Sequence, residues 1–199
     1  MQKKIYSNNY YLIRHGHSKA NEEGIIISNP EIGTLKYGLT ENGKKQIKAS
    51  AVKFPEIKNP IIYSSDFLRT RESAEILKEI LQTEDVLYTP LLRERFFGFY
   101  DSLGDDQYNE IWRKDKNDEN NKINSVESPK QVFNRVESLI NDLESLYTDK
   151  NILLVSHGDC LQIMQTVFEQ ISPALHRSLK HINVAEIRKM RSDASSSEQ

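Results

Sequence analysis

Apolar positions along the chain fall into short runs that alternate between two periods. "YYLI" (Tyr10–Ile13) and "NILLVS" (Asn151–Ser156) are almost continuously apolar, as strands buried on both faces require. "PIIYSS" from Pro60 reads as another strand, and "VLYTPLL" from Val86 and the alternating "HINVAEIRK" from His181 are further candidates. Between them the period lengthens. "ENGKKQIKASAVKF" from Glu41 reads as a helix that stops at Pro55, because proline disfavours helix in its predecessor. Phe67, Ala74, Leu77 and Leu81 recur at helical spacing behind Asp66, which is placed to cap. Ser128, Pro129 and Gln131 form a helix-start signature of cap, first-turn proline and capping-box partner. Val132, Val136, Leu139, Leu143 and Leu146 continue it as one apolar stripe. A further helix follows "NILLVS". Alternating strands and helices predict a three-layer α/β/α sandwich with a mostly parallel central sheet. In such folds ligands bind beyond the carboxyl ends of the strands.

Two stretches break the alternation. Lys114 to Ser125 ("KDKNDENNKINS") is almost wholly polar, which predicts a solvated loop or flap. Residues 191–199 ("RSDASSSEQ") are small and polar, and predict a disordered tail. That leaves residues 1–190 as a single domain, in keeping with a chain of 199 residues.

Charge and composition narrow the partners. The formal net charge is −2, so no global basic field points to nucleic acid or an acidic membrane surface. No run approaches the ~20 apolar residues of a membrane span, and the N-terminus lacks the apolar stretch of a signal peptide. The one cysteine, Cys160, has no internal disulfide partner. A cytoplasmic protein is expected, with no nucleic-acid or membrane partner; oligomeric state is left open.

The chemistry lies at the ends of the apolar runs. "YYLI" leads into Arg14, His15 and Gly16; "PIIYSS" leads into "DFLRTRES", which holds Arg69; "NILLVS" leads into His157 and Gly158. If these strands are parallel, two arginines and two histidines gather at one edge. The glycines allow sharp turns and close approach of a ligand. Arginine forks match phosphate oxygens in pairs, so a phosphoryl group is the natural guest. A neutral imidazole can attack phosphorus, while arginines and a protonated second histidine stabilise the transferring group. Glu94, in "LLRERFFG", supplies an acid for the leaving oxygen and later a base for water.

"RHGHS", "SSDFLRTRESA", "LRERFFG" and "SHGD" together resemble the histidine phosphatase superfamily, the branch that contains the cofactor-dependent phosphoglycerate mutases and fructose-bisphosphatase-like phosphatases. The resemblance runs from about Tyr10 to Arg188. It implies that His15 is the phosphorylated nucleophile, that Arg14, Arg69, Asn21 and His157 hold the phosphoryl group, and that Glu94 is the proton donor. It implies no metal and no other cofactor. In the mutases an arginine pair and then prolines follow the acid and grip a carboxylate. Here Arg113 and Lys114 follow Trp112 without the proline run. That departure favours a phosphomonoester phosphatase acting on a small-molecule phosphate ester over a mutase. A phosphate- or phosphopeptide-binding module without turnover is the alternative of another class.

Each residue also has a plainer reading. Arg14 and His15 could be a strand end with a surface salt bridge. His15 and His17 have the His-x-His spacing of a metal pair, although Arg14 and Arg69 beside a dication would be electrostatically awkward. His17 and Ser18 could line a substrate pocket; Ser18 could instead cap the next segment. Arg69 could pair with Glu72 or Ser73 along a helix. Glu94 could belong to a solvated charge run, with Asp159 the rival acid. Cys160 could be activated at a helix start, but a small buried thiol is its simpler state. His176 and His181 carry no motif. Trp112, Phe96, Phe97, Phe99 and Tyr100 read as core or pocket wall.

Overall fold

A computed structural model describes residues 4–190. The strands are β1 (Asn9–Arg14), β2 (Ile61–Ser64), β3 (Val86–Tyr88), β4 (Asn151–Ser156) and β5 (Ile187–Lys189). They form one sheet in the order β3-β2-β4-β1-β5. The first four are parallel, and β5 runs antiparallel to β1. The helices are α1 (Lys19–Glu23), α2 (Pro30–Gly33), α3 (Glu41–Val52), α4 (Leu68–Leu81), α5 (Tyr108–Asp115), α6 (Pro129–Leu146) and α7 (Gly158–Glu169).

The unbroken apolar runs are explained by helices on both sheet faces. Leu12, Ile152 and Leu154 pack against Val132, Val136, Leu139 and Leu143 of α6 and Leu161 and Met164 of α7. The alternate residues Tyr11, Ile13, Leu153 and Val155 pack against Ile47 and Ala51 of α3 and Ala74 and Leu77 of α4. Each fully buried aliphatic side chain contributes about 1.5–3 kcal/mol. The central strand β4 and its neighbour β1 carry the longest such runs and therefore fix the sheet.

Several helix ends follow the sequence. Ser128 and Gln131 form the capping box of α6, and Thr40 caps α3 through its side chain. Asp66 does not cap α4. The cap position is Phe67, which offers no side-chain bond, and the Asp66 carboxylate instead takes two bonds from Arg93, at 2.8 and 2.6 Å. A guanidinium fork outcompetes a single backbone N–H for a carboxylate. The two late strand candidates are shorter than their patterns suggest. β3 ends at Tyr88, where Thr89 caps a short 3-10 turn over Pro90–Leu92, and β5 keeps three residues of its run.

The polar stretch 114–125 departs most from expectation. It is not a solvated loop throughout. Asp115 and Asn121 are buried. Asp115 takes a bidentate pair of bonds from the fully buried Arg95, at 2.6 and 2.9 Å, and a third from Asn121 at 2.9 Å. Around them Ile26, Phe97, Tyr100, Ile111 and Val126 form a third apolar cluster. Residues 97–126 thus fold as a small cap, held by one buried ion pair and a satellite core. Phe97 and Tyr100 belong to it, whereas Phe99 is 77% exposed and Phe96 38% exposed, so neither of these two is core. Residues 191–199 lie outside the described residues.

Asp115→Ala removes the bidentate partner of a buried cation. The expected loss is about 3–5 kcal/mol, measured by denaturant titration with the single tryptophan, Trp112, as a probe on the same helix. A loss below about 1 kcal/mol would mean that the cap is not held by this pair.

Candidate active site

The parallel register assembles the site. Arg14 of β1 lies opposite Ser156 of β4, so His15 and His157, one residue beyond each, come side by side with ring centroids 5.2 Å apart. Ser64, the last residue of β2, pairs with Val155 of β4, and α4 then delivers Arg69 to the same edge. Glycine is required at Gly16 and relieves a tight approach at Gly158. A Cβ on Gly16 would stand 2.4 Å from the Gly43 carbonyl oxygen, and one on Gly158 would stand 3.2 Å from the Arg14 guanidinium.

Arg69 is the hub. Its Nε–H donates to His15 Nε2 and to His157 Nδ1, each at 3.1 Å, and its Nη2 donates to the Ile27 carbonyl at 2.9 Å. These bonds assign both tautomers. His15 Nδ1 lies 2.8 Å from the Gly16 carbonyl, which can only accept, so Nδ1 carries the proton and Nε2 a lone pair. His157 accepts at Nδ1, so its Nε2–H donates to Ser65 Oγ at 2.9 Å. Burial first, and then the Arg69 charge, hold both imidazoles well below the ordinary histidine range. Both are neutral here, so the protonated second histidine expected from the sequence is not the state of this structure. Two donors remain: Arg14 Nε and Arg69 Nη1 are buried and find no acceptor among the described residues. Burial lowers the Arg69 pKa to about 10, which leaves it charged at neutral pH. A tetrahedral oxyanion satisfies such donors.

The two rival acids separate. Glu94 Oε1 accepts from the backbone N–H groups of Arg95 and Cys160, at 2.9 and 3.0 Å. Burial, and then the neighbouring Asp159, push its pKa above the ordinary carboxylate value, although Arg69 and those two N–H groups pull the other way. Burial would raise Asp159 as well, but Arg95, His176 and Arg177 together outweigh it and hold it low. Its Oδ2 takes a bond from Arg95 at 3.0 Å and its Oδ1 one from Trp112 Nε1 at 2.9 Å. Two carboxyls whose pKa values are driven apart are suited to different tasks.

Arg14, His15, Arg69 and His157 meet, with Glu94 on the same charge network. Ser18 and Asn21 form the capping box of α1 with each other. His17 is tied by its Nδ1 to Thr40 Oγ1 at 3.3 Å and by its backbone to Gln46. Arg113 is exposed and forms no hydrogen bond or ion pair among the described residues; helix α5 turns its neighbour Trp112 inward instead. Cys160 is buried, and desolvation lifts its thiol to about 11, the inert state. Among the described residues no group of three or more His, Cys, Asp or Glu is arranged to hold a metal ion. Sequence reasoning missed Ser65, Arg177 and the structural role of Arg95. His181, which carries no motif, bonds Arg14 Nη1 at 2.8 Å.

Residues 10–198 match the model of the histidine phosphatase superfamily, branch 1. The chain belongs to this superfamily. A probable phosphoglycerate mutase from Escherichia coli is 31% identical over 158 residues, covering 76% of this chain and 70% of the relative. Among solved structures, a mycobacterial glucosyl-3-phosphoglycerate phosphatase in complex with VO3 superposes with a TM-score of 0.78 at 22% identity, covering 91% of each chain. A phosphoserine phosphatase variant from Entamoeba histolytica in complex with phosphoserine gives 0.73 at 22% identity, covering 92% of this chain and 89% of that one. The fold is therefore that of the histidine phosphatases, and superfamily membership supports an enzyme acting on phosphate esters.

The lowered histidines set a pH dependence of stability. His15, His157, His176 and His181 are all held below their ordinary value of 6.5. As pH falls through about 6.5, the unfolded chain takes up protons that the folded chain refuses, so stability falls with pH. The slope reaches at most about 1.4 kcal/mol per pH unit for each histidine. Glu94 acts oppositely between its ordinary 4.5 and its raised value, as one group against four. Urea midpoints measured at pH 7.5, 6.5 and 5.5 are expected to decrease in that order; a flat or inverted series refutes the neutral-imidazole assignment.

Proposed function

We propose that the protein is a metal-independent phosphomonoester phosphatase working through a phosphohistidine at His15. The observation that supports this reading best is the pairing of an oriented imidazole, whose Nε2 presents a lone pair, with a buried carboxyl at the same site whose pKa is pushed up by burial and by Asp159. The phosphate of a substrate docks on the free donors of Arg14 and Arg69. Its oxygens give Arg69 Nε a charged acceptor in place of the two imidazoles. That exchange frees the His15 Nε2 lone pair to attack phosphorus, while the Gly16 carbonyl stabilises the Nδ1–H as charge grows on the ring. The P–O bond to the alcohol breaks as the Glu94 carboxyl gives its proton to the leaving oxygen. Glu94 carboxylate then takes a proton from water, which attacks the phosphohistidine and returns neutral imidazole and phosphate. His157 stays against the equatorial oxygens, and the bound dianion raises its pKa towards the protonated form.

A phosphoglycerate mutase is the second reading. It draws support from the packed cap over residues 97–126, which shields a phosphoenzyme from water better than an open polar loop would, and from the name of the Escherichia coli relative. A bisphosphate primer separates the two. A mutase interconverts phosphoglycerates only when primed, whereas a phosphatase releases phosphate without primer.

In EDTA, the intact protein is expected to release phosphate from a panel of phosphomonoesters, and His15→Ala to release none above background. Glu94→Gln is expected to lower kcat by 10²–10⁴-fold for alkyl phosphates and by much less for p-nitrophenyl phosphate, whose leaving group needs no proton. The kcat/KM profile falls on the acid side as His15 protonates below the ordinary histidine range, and on the alkaline side as Glu94 ionises above the ordinary carboxylate range. Full activity in His15→Ala, or complete loss in EDTA, overturns the mechanism.

A further inference from the structure

Helix α5 and the 3-10 turn over Pro173–Ser178 build a second cationic position beside the phosphate pocket. The Arg177 guanidinium lies 3.7 Å from the centre of the Trp112 ring. Trp112 is in turn stacked on Tyr108, with centroids 5.0 Å apart and planes 4° apart, and its Nε1–H is fixed to Asp159. The cation is therefore held in orientation by a two-ring stack rather than by a hydrogen bond. Its Nη1 is buried, has no hydrogen-bond partner among the described residues, and stands 3.9 Å from Asp159 Oδ1. That oxygen is already engaged by Trp112, and its companion by Arg95. Asp159 lies two residues past His157, and Arg177, Tyr108, Glu94 and Asp159 all bear electrostatically on Arg14. The unsatisfied donor thus adjoins the reacting centre.

Elsewhere the arginines close to Glu94 are engaged. A cleft of about 470 Å³ opens beside Glu94 and is lined by Arg93, Arg135 and Lys122, and Lys122 is a flexible ammonium rather than a planar fork. Arg93 is forked onto Asp66, and Arg135 onto Glu127. Arg177 has no such fork.

We propose that Arg177, held flat on Trp112, is a subsite for a second oxyanion, so that the preferred substrates are small phosphomonoesters whose alcohol carries a carboxylate or another phosphate. The assignment rests on the phosphatase reading for its substrate class. A planar guanidinium with a desolvated donor favours an oxyanion over a neutral hydroxyl. Stacking on an aromatic face strengthens the hold on the cation and leaves its edge free to donate. The Tyr108 hydroxyl, kept protonated first by burial and then by the carboxyl groups near it, supplies a neutral donor beside Trp112. The position that the resemblance to the mutases suggests for this task, Arg113, is one residue along α5 and exposed; α5 contributes the platform, and Arg177 the charge.

The test compares the intact enzyme, Arg177→Met and Arg177→Lys on O-phosphoserine and 3-phosphoglycerate, on a sugar bisphosphate, and on β-glycerol phosphate and p-nitrophenyl phosphate, whose bound alcohol portions carry no second anion. Arg177→Met is expected to lose about 10–100-fold in kcat/KM on the anionic substrates, carried by KM. That loss should be at least tenfold greater than its loss on the uncharged ones, with partial recovery in Arg177→Lys. The class that the intact enzyme prefers tells carboxylate from phosphate. An equal loss on every substrate, or none on the anionic ones, overturns the subsite. Calorimetric binding of the same esters to His15→Ala, with and without Arg177→Met, separates the two readings. If the intact protein turns over nothing, an anion preference in Kd that disappears with Arg177→Met keeps the subsite and removes the phosphatase reading. Indifferent Kd values, beside normal turnover, remove the subsite and leave the phosphatase.

Discussion

A guanidinium buried between two imidazoles sets the terms for the rest of the molecule. Arg69 shares one N–H between His15 and His157. A donor so placed requires a lone pair on each ring, and its charge penalises a proton on either. The neutral state of both rings is thus a consequence of packing and Coulomb repulsion rather than of solvent pH. It also explains why the site sits where parallel strands end. Only there can β1 and β4 present consecutive turns at matched register, with α4 entering from β2 to place the arginine between them.

Cations without counterions are costly to bury, and the fold spreads that cost unevenly. Arg95, just behind the site, has Asp115 and Asp159. Arg14 and Arg69 have carbonyls and imidazoles, with one donor apiece unsatisfied among the described residues. The molecule is therefore compensated outside the pocket and undercompensated inside it. Breaking Arg95 from its partners is expensive, but a buried ion pair is weak evidence of net stability against an apolar replacement. What the pair does supply is register. It joins the cap, through Asp115, to the first turn of α7, through Asp159, and that turn also carries the Cys160 N–H bonded to Glu94. Cap and acid are located by one network.

How much of this was legible in the sequence differs by the range of the interaction. The apolar runs of β1 and β4 and the capping box of α6 depend on neighbours in the chain, and their residues display them. The convergence of Arg14, His15, Arg69 and His157 was legible because each lies just beyond a strand end, so fold class alone brings them together. The burial of Asp115 was not legible. A polar stretch such as "KDKNDENNKINS" gives no sign that one carboxylate in it meets an arginine 20 residues upstream. Asp66 failed as a cap for a similar reason, since its partner Arg93 comes from another element. Ser18 caps α1, one of the two readings its sequence offered, and Asn21 is its capping-box partner, a local bond that spacing from Arg14 does not reveal. Arg177 belongs to no motif, and its importance appears only when Trp112, 65 residues earlier, lies under it.

Glu94 and Asp159 show how the same surroundings produce opposite acids. Both are buried, and burial alone would raise both. Asp159 receives side-chain bonds from Arg95 and Trp112 and so keeps its charge. Glu94 receives only two backbone N–H groups on one oxygen, and it faces the charge that Asp159 retains. The acidity of one therefore depends on the ionisation of the other. Any change that neutralises Asp159 leaves burial alone to raise the Glu94 pKa and, at the same time, loosens the platform under Arg177. On the proposed reading, proton supply and leaving-group recognition are coupled through a carboxylate that needs no contact with the substrate.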